Sequence, residues 1–255
     1  MRIGIIADIH EDATALKTAL DVLDKHVAGI VITLGDIVGE STSQLGKTVR
    51  LLLDVGAVGV WGNHEFGLAH EPDPSVFQGL PPCVREFMTA LKPTIQLGDC
   101  FFSHVEPWLD PYKLEHLWRS PYDFSVAEHV AKSFKHRTER LLFYGHIHCW
   151  RIATPNGIVD WDGDQICLAP PQRYLIAVGP LSDGLNATQR QGHFALYDTL
   201  THILKRFRVV ENDGFGHANG AERYIARNHS ANSRRLTHGQ LEHRGMPAEL
   251  RRQIW

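Results

Sequence analysis

The sequence predicts an α/β fold in which two mixed β-sheets pack face to face with helices on their outer faces, an αββα sandwich. Up to about residue 62, apolar strands alternate with amphipathic helices, the pattern of parallel βαβ units. From Trp150 to Val210 the chain changes to short β segments separated by turns, which pair antiparallel. Five polar clusters each fall where an apolar strand ends, which sets one edge of the sandwich apart as the functional edge. With 255 residues and 43% hydrophobic content, the chain has enough material for one large core.

Residues 3–7, 30–34 and 57–61 are short, nearly continuous apolar runs and read as buried parallel strands. Between them Leu16, Ala19, Leu20 and Leu23 recur at helical spacing, as do Leu45, Val49, Leu52 and Leu53, so two helices are expected. Pro72, Pro74, Pro81, Pro82 and Pro93 make residues 66–99 a long loop, a rim or lid, with one helix around 84–91. Residues 100–103 and 141–144 are further buried strands, separated by a helix at about 126–134. Residues 157–161, 165–168, 174–178, 193–198 and 203–209 read as β, and the turn Asp198-Thr199-Leu200-Thr201 joins the last two into a hairpin.

The main domain is expected over residues 1–210, followed by a polar C-terminal extension, 211–255, with a short helix at 221–228. Trp255 at the end of that polar stretch leads to the expectation that the extension docks across the interface of a homo-oligomer.

A net charge of -3 provides no sequence-wide basic footprint, so a nucleic-acid partner is not expected. The first apolar run is far too short for a signal peptide or membrane span and ends in Asp8, so the expectation is no membrane association. Cys83, Cys100, Cys149 and Cys167 are widely spaced without a C-x-x-C pair, which fits reduced thiols in a cytoplasmic protein rather than a thiolate zinc or redox site.

The clusters are Asp8-Ile9-His10, Gly35-Asp36, Gly62-Asn63-His64-Glu65, His104 and Gly145-His146-Ile147-His148. Asp8, His10, Asp36, Asn63, His104, His146 and His148 supply two carboxylates, one amide oxygen and four imidazoles. That set suits Mn, Fe, Zn, Ni or Co more than Ca. Seven donors overfill one site that must also admit water, so two ions sharing a carboxylate are expected. Ions about 3.5–4 Å apart can hold a bridging water as hydroxide and stabilise an in-line displacement at phosphorus.

In these residues the chain resembles the calcineurin-like metallophosphoesterase superfamily, whose pattern is D-x-H, G-D, G-N-H-[DE], H and G-H-x-H, and the resemblance covers roughly residues 1–200. It implies that Asp8, His10 and His148 bind a first metal, that Asn63, His104 and His146 bind a second, and that Asp36 bridges them. His64 resembles the family's non-ligand catalytic histidine, which protonates the leaving oxygen, a role suited to imidazole. Asn63 also lies where substrate would bind, and Mn²⁺ is the favoured ion in vitro. Glu65 reads as a cap or an orienting group rather than a ligand.

The run Val178-Gly179-Pro180-Leu181-Ser182-Asp183-Gly184, ending near Arg190, resembles the Gly/Pro-rich loop of small prokaryotic members. Arg190 there reads either as a phosphate contact or as a surface residue. Protein phosphatases carry arginines after G-D and before G-N-H; here those places hold Gly39-Glu40-Ser41 and Val60-Trp61. The branch left is a compact phosphoesterase acting on a small phosphodiester or phosphomonoester. A second class, a non-catalytic scaffold of the same fold, is characterised by loss of active-site residues, notably the catalytic histidine, and none is missing here. His217, His229, His238 and His243 read as solvated, and Trp61 and Trp150 as core.

Overall fold

The structure, a computed structural model, describes residues 1–119, 126–182, 191–211 and 223–226. The first half lays down β1 (Arg2–Ile6), α1 (Ala13–Lys25), β2 (Ile30–Thr33), α2 (Leu45–Asp54) and β3 (Val58–Gly59), the alternation expected from the sequence. Next come α3 (Phe66–Ala69), a 3₁₀ turn (Pro74–Phe77), α4 (Pro82–Ala90), the hairpin of β4 (Ile95–Leu97) and β5 (Cys100–Phe102), α5 (Leu114–Leu117) and α6 (Val126–His136). The rest is mostly strand: β6 (Leu141–Tyr144), β7 (Arg151–Thr154), β8 (Gly157–Ile158), β9 (Gln165–Cys167), β10 (Tyr174–Ala177), β11 (Gln191–Asp198), β12 (Ile203–Glu211) and β13 (Arg223–Ala226).

Two mixed sheets result. One has the order β13-β12-β11-β1-β2-β3, with β9 also on β12, and the other runs β4-β5-β6-β10-β7-β8. β1, β2 and β3 are mutually parallel, as are β5, β6 and β10, so the carboxyl ends within each set lie on one side.

Strand alternation sorts the side chains into layers. Ile3 and Ile5 of β1, Phe102 of β5 and Phe143 of β6 enter the core between the sheets with Tyr197 of β11. Ile6 instead faces Leu16, Leu20 and Leu23 of α1, and Leu142 and Tyr144 face Val130 of α6. Helix α1 is started by Asp12, whose carboxylate accepts from Ala15 N at 2.9 Å. No helix among the described residues is long and apolar enough to cross a membrane.

Three local expectations need correction. Residues 66–99 are not one long loop with a single helix: they fold as α3, a 3₁₀ turn, α4 and β4, and Cys83, Val84, Phe87 and Met88 of α4 pack on Leu45, Val49 and Leu52 of α2, completing the helical layer over the first sheet. Strands β4 and β7, which the sequence did not signal, are three and four residues long; β4 is one edge of its sheet and β7 lies between β10 and β8, pairings that no local periodicity reveals. Residues 223–226 are a strand instead of part of a helix, because the open edge of β12 offers a parallel partner, with Arg208 opposite Arg223 through Glu211 opposite Ala226. The Asp198–Thr201 hairpin forms as expected, with Asp198 opposite Ile203.

His193 on β11 provides a pH test of the sheet. Its Nδ1 is buried without a hydrogen-bond partner, and burial together with Arg206 and Arg208 pushes its pKa down to about 4. The unfolded chain, with histidine near 6.5, therefore binds the extra proton first as pH falls, so stability is intact above 6.5 and is lost between 6.5 and 4. At pH 5 the loss from this residue is on the order of 1–2 kcal/mol. His193→Gln should narrow the drop in melting temperature between pH 7 and pH 5 by roughly 3–6 °C. An unchanged drop would contradict this account of His193.

Candidate active site

The turns that leave β1, β2, β3, β5 and β6 converge on one edge of the sandwich. Backbone bonds interlock them: Asp8 N donates to Gly35 O, Ile9 N and His10 N to Asp36 O, and Gly145 N to His104 O, at 2.8 to 3.1 Å. The run after β10 adds Leu181 N to Ala7 O at 2.8 Å and Ser182 N to Asp8 O at 3.1 Å. Nine non-glycine residues among those described have positive φ, and six of them, Asp8, His10, Glu11, Asp36, His146 and His148, lie here. Left-handed backbone at such residues is costly, and its concentration at one edge marks a site where side-chain direction outweighs local stability.

Two glycines permit the close approach. A Cβ on Gly35 would lie 2.6 Å from Gly62 N, and one on Gly62 would lie 2.2 Å from Asp36 Oδ1. Any side chain at either position would push the turns after β2 and β3 apart.

All seven donor residues expected from the sequence are brought together here. Asp8, His10, Asp36 and His148 form one group and Asp36, His104 and His146 another, with the donor atoms of each within 4.8 Å of one another and Asp36 common to both. Asn63 closes the second group, its Oδ1 lying 2.9 Å from His104 Nε2 and 3.1 Å from His146 Nδ1.

Carbonyls that the sequence could not reveal fix the rings. Leu34 O lies 2.7 Å from His104 Nδ1, Arg119 O lies 3.1 Å from His146 Nε2, and Val38 O lies 3.3 Å from His10 Nδ1. A carbonyl only accepts, so each of those nitrogens carries the proton and the opposite nitrogen of the neutral ring presents a lone pair. The lone pairs of His104 and His146 then face the Asn63 oxygen, and that of His10 faces His148 Nε2 at 3.2 Å. Lone pairs directed at one point suit a cation, and this mixed N/O donor set fits divalent transition metals.

Without a cation the buried donors divide the available protons among themselves. Burial pushes Asp8 up to about 8, with Asp36 adding to the rise. Burial also acts to raise Asp36, but His104, His64 and His10 outweigh it and hold that carboxyl below the usual range. Burial lowers His146 to about 4, whereas His104, which burial would lower, is lifted to about 9 by Asp36 and Asp8.

His64 stands outside both groups. Its backbone N–H donates to Asp36 Oδ1 at 3.2 Å, and its half-buried ring lies 5.0 Å from that of His10.

Glu65 is neither a donor to these groups nor a cap of α3. Its completely buried carboxylate accepts from Asp36 N at 2.8 Å, Val38 N at 2.7 Å and Gly62 N at 2.9 Å, so it straps the turn after β2 to the turn after β3. Burial, with Asp36 beside it, pushes its pKa up to about 7. Glu11, which the sequence reading passed over, similarly accepts from Gly39 N at 3.1 Å and Gln44 N at 2.9 Å and folds the following loop onto α2. Trp61 is buried as expected, and Trp150 packs against the inter-sheet core. Arg190 and the four tail histidines lie outside the described residues.

Comparison with known proteins agrees with this architecture. The chain is 25% identical over 226 residues to the uncharacterized protein MJ0912 of Methanocaldococcus jannaschii, covering 81% of this chain and 86% of that one. A metallophosphoesterase from Sphaerobacter thermophilus has the same fold, with a TM-score of 0.63 at 22% identity over 82% of this chain and 87% of that chain. So does the hypothetical protein PH1004 from Pyrococcus horikoshii OT3, with a TM-score of 0.54 at 15% identity over 81% and 86%. The model of the calcineurin-like phosphoesterase superfamily domain matches residues 1–201, the span that contains all five clusters, and the chain belongs to that superfamily.

Proposed function

We propose that the protein is a metal-dependent phosphoesterase that hydrolyses a small phosphodiester or phosphomonoester. Asp8, His10 and His148 would hold one divalent ion, Asn63, His104 and His146 a second, and Asp36 would bridge them. The observation that carries this reading is the convergence of donor atoms from His104, His146 and Asn63 beside a second group that shares Asp36. When bound, two such ions lower the pKa of water and neutralise charge on the phosphoryl oxygens.

The chain's own residues supply orientation and a proton. Carbonyls of Leu34, Arg119 and Val38 hold the imidazoles in the tautomers that direct a lone pair inward. Asp36, fixed by Glu65 through its backbone and by Gly62 through close contact, stands between the two groups. His64, beside the donors but not among them, would give a proton to the departing oxygen as the P–O bond breaks and recover one from water. Asn63 and Arg190 are proposed to contact the substrate phosphate. Retention of His64 supports catalysis over a scaffold role.

Purified protein supplied with Mn²⁺ should turn over bis(p-nitrophenyl) phosphate or p-nitrophenyl phosphate. His64→Ala should lower kcat by about 10²- to 10⁴-fold on an alkyl ester, whose leaving oxygen needs the proton, and by less on the nitrophenyl ester. An inactive wild type, or a His64→Ala variant that keeps the wild-type rate on both esters, would reject the proposal.

A further inference from the structure

The segment that follows His104 and brings Arg119 O to the second donor group carries an exposed aromatic ring. Large exposed hydrophobic side chains are few among the described residues, and three of them, Tyr112, Leu114 and Trp118, come from this one stretch. Tyr112 packs its ring against His70 and Trp61 at 5.2 and 5.7 Å. Trp118 differs: 58% of it is exposed, and its ring lies 5.5 Å from that of His64 at an interplanar angle of 35°.

The backbone under this indole is fixed. Trp118 N donates to Leu114 O at 3.0 Å, the neighbouring Leu117 is fully buried, and Pro111 O accepts from Trp61 Nε1 at 3.0 Å. The next residue along, Arg119, gives its carbonyl to His146 Nε2. Trp118 thus sits against His64, one residue before the carbonyl that meets the second donor group, with most of its surface exposed.

Resting on the phosphoesterase reading above, we propose that Trp118 is a specificity residue that stacks on a planar ring of the leaving group. The substrate class is then a phosphoester whose departing alcohol carries an aromatic or heteroaromatic ring within a few bonds of the ester oxygen, as an aryl alcohol or a nucleoside does. In the step concerned, water adds to phosphorus, the bond from phosphorus to the ring-bearing oxygen breaks, and that oxygen takes the proton from His64. Trp118 makes no bond and holds the ring in place.

The test compares Mn²⁺-loaded wild type, Trp118→Ala and Trp118→Phe on phenyl phosphate, a nucleoside 5′-monophosphate and propyl phosphate, with the corresponding methyl diesters. Stacking of this kind is worth about tenfold or more in binding. Trp118→Ala should therefore raise KM about tenfold on ring-bearing esters and leave propyl esters within about twofold, while Trp118→Phe keeps most of the wild-type KM. The arm that responds, phenyl or nucleoside, identifies the kind of ring. An equal loss on ring-bearing and ring-free esters, or no loss on any, overturns the stacking role while leaving the phosphoesterase reading standing. A wild type silent on every ester overturns that reading and this subsite with it.

Discussion

Asp36→Ala should lower turnover by about three orders of magnitude, on the order of 4 kcal/mol of transition-state stabilisation, because one substitution would damage both proposed cation sites. Asp36 is the residue common to the two donor groups, and its oxygens lie within reach of rings on both sheets. Replacing a residue of one group alone, such as His146→Ala, leaves the other group intact and should have the smaller effect. Steady-state kinetics on a nitrophenyl ester with excess Mn²⁺ checks the ranking. An Asp36→Ala enzyme no worse than His146→Ala would show that the carboxylate is not shared.

Glu65→Ala should produce the largest loss of stability. It strips the acceptor from three backbone N–H groups, those of Asp36, Val38 and Gly62, in a site where the Glu65 side chain has no exposure. A buried donor left without a partner costs about 1–3 kcal/mol, so the sum is roughly 3–6 kcal/mol even after some water enters. For a domain of this size that corresponds to a fall of about 10 °C or more in melting temperature. Glu65→Gln, which keeps the volume but turns one acceptor into a donor facing an N–H, should fall between. Melting both variants in chelator separates the strap from any contribution of bound metal. A Glu65→Ala protein melting within 2 °C of wild type would contradict the role assigned to this carboxylate.

The parts of the fold that read clearly in the sequence are those whose side chains alternate between core and helix layer. β1, α1, β2, α2 and β6 are such segments, since Ile3 and Ile5 go inward while Ile6 faces α1. β4, β7 and β13 did not read, because strands of three or four residues are selected by an available partner and not by their own periodicity. The candidate site read well for a related reason. Aspartate, asparagine and histidine at the ends of apolar strands are chemically conspicuous, and a common sheet direction brings them together.

What aims those side chains was hidden. The carbonyls of Leu34, Val38 and Arg119 are backbone atoms that any residue would supply at those positions. Glu65 sat inside a recognised cluster, but its bonds to Asp36 N and Val38 N cross to another turn, a relation that no spacing within Gly62-Asn63-His64-Glu65 expresses. Trp118 belongs to no cluster, and only its exposure beside His64 distinguishes it.

The central claim is that two cations share Asp36. Crystals of the Mn²⁺-loaded protein, measured by anomalous diffraction, test it most directly. The account requires two anomalous peaks about 3.5–4 Å apart, one beside Asp8, His10 and His148, the other beside Asn63, His104 and His146, with Asp36 touching both. A single peak, or two peaks of which only one contacts Asp36, would contradict it.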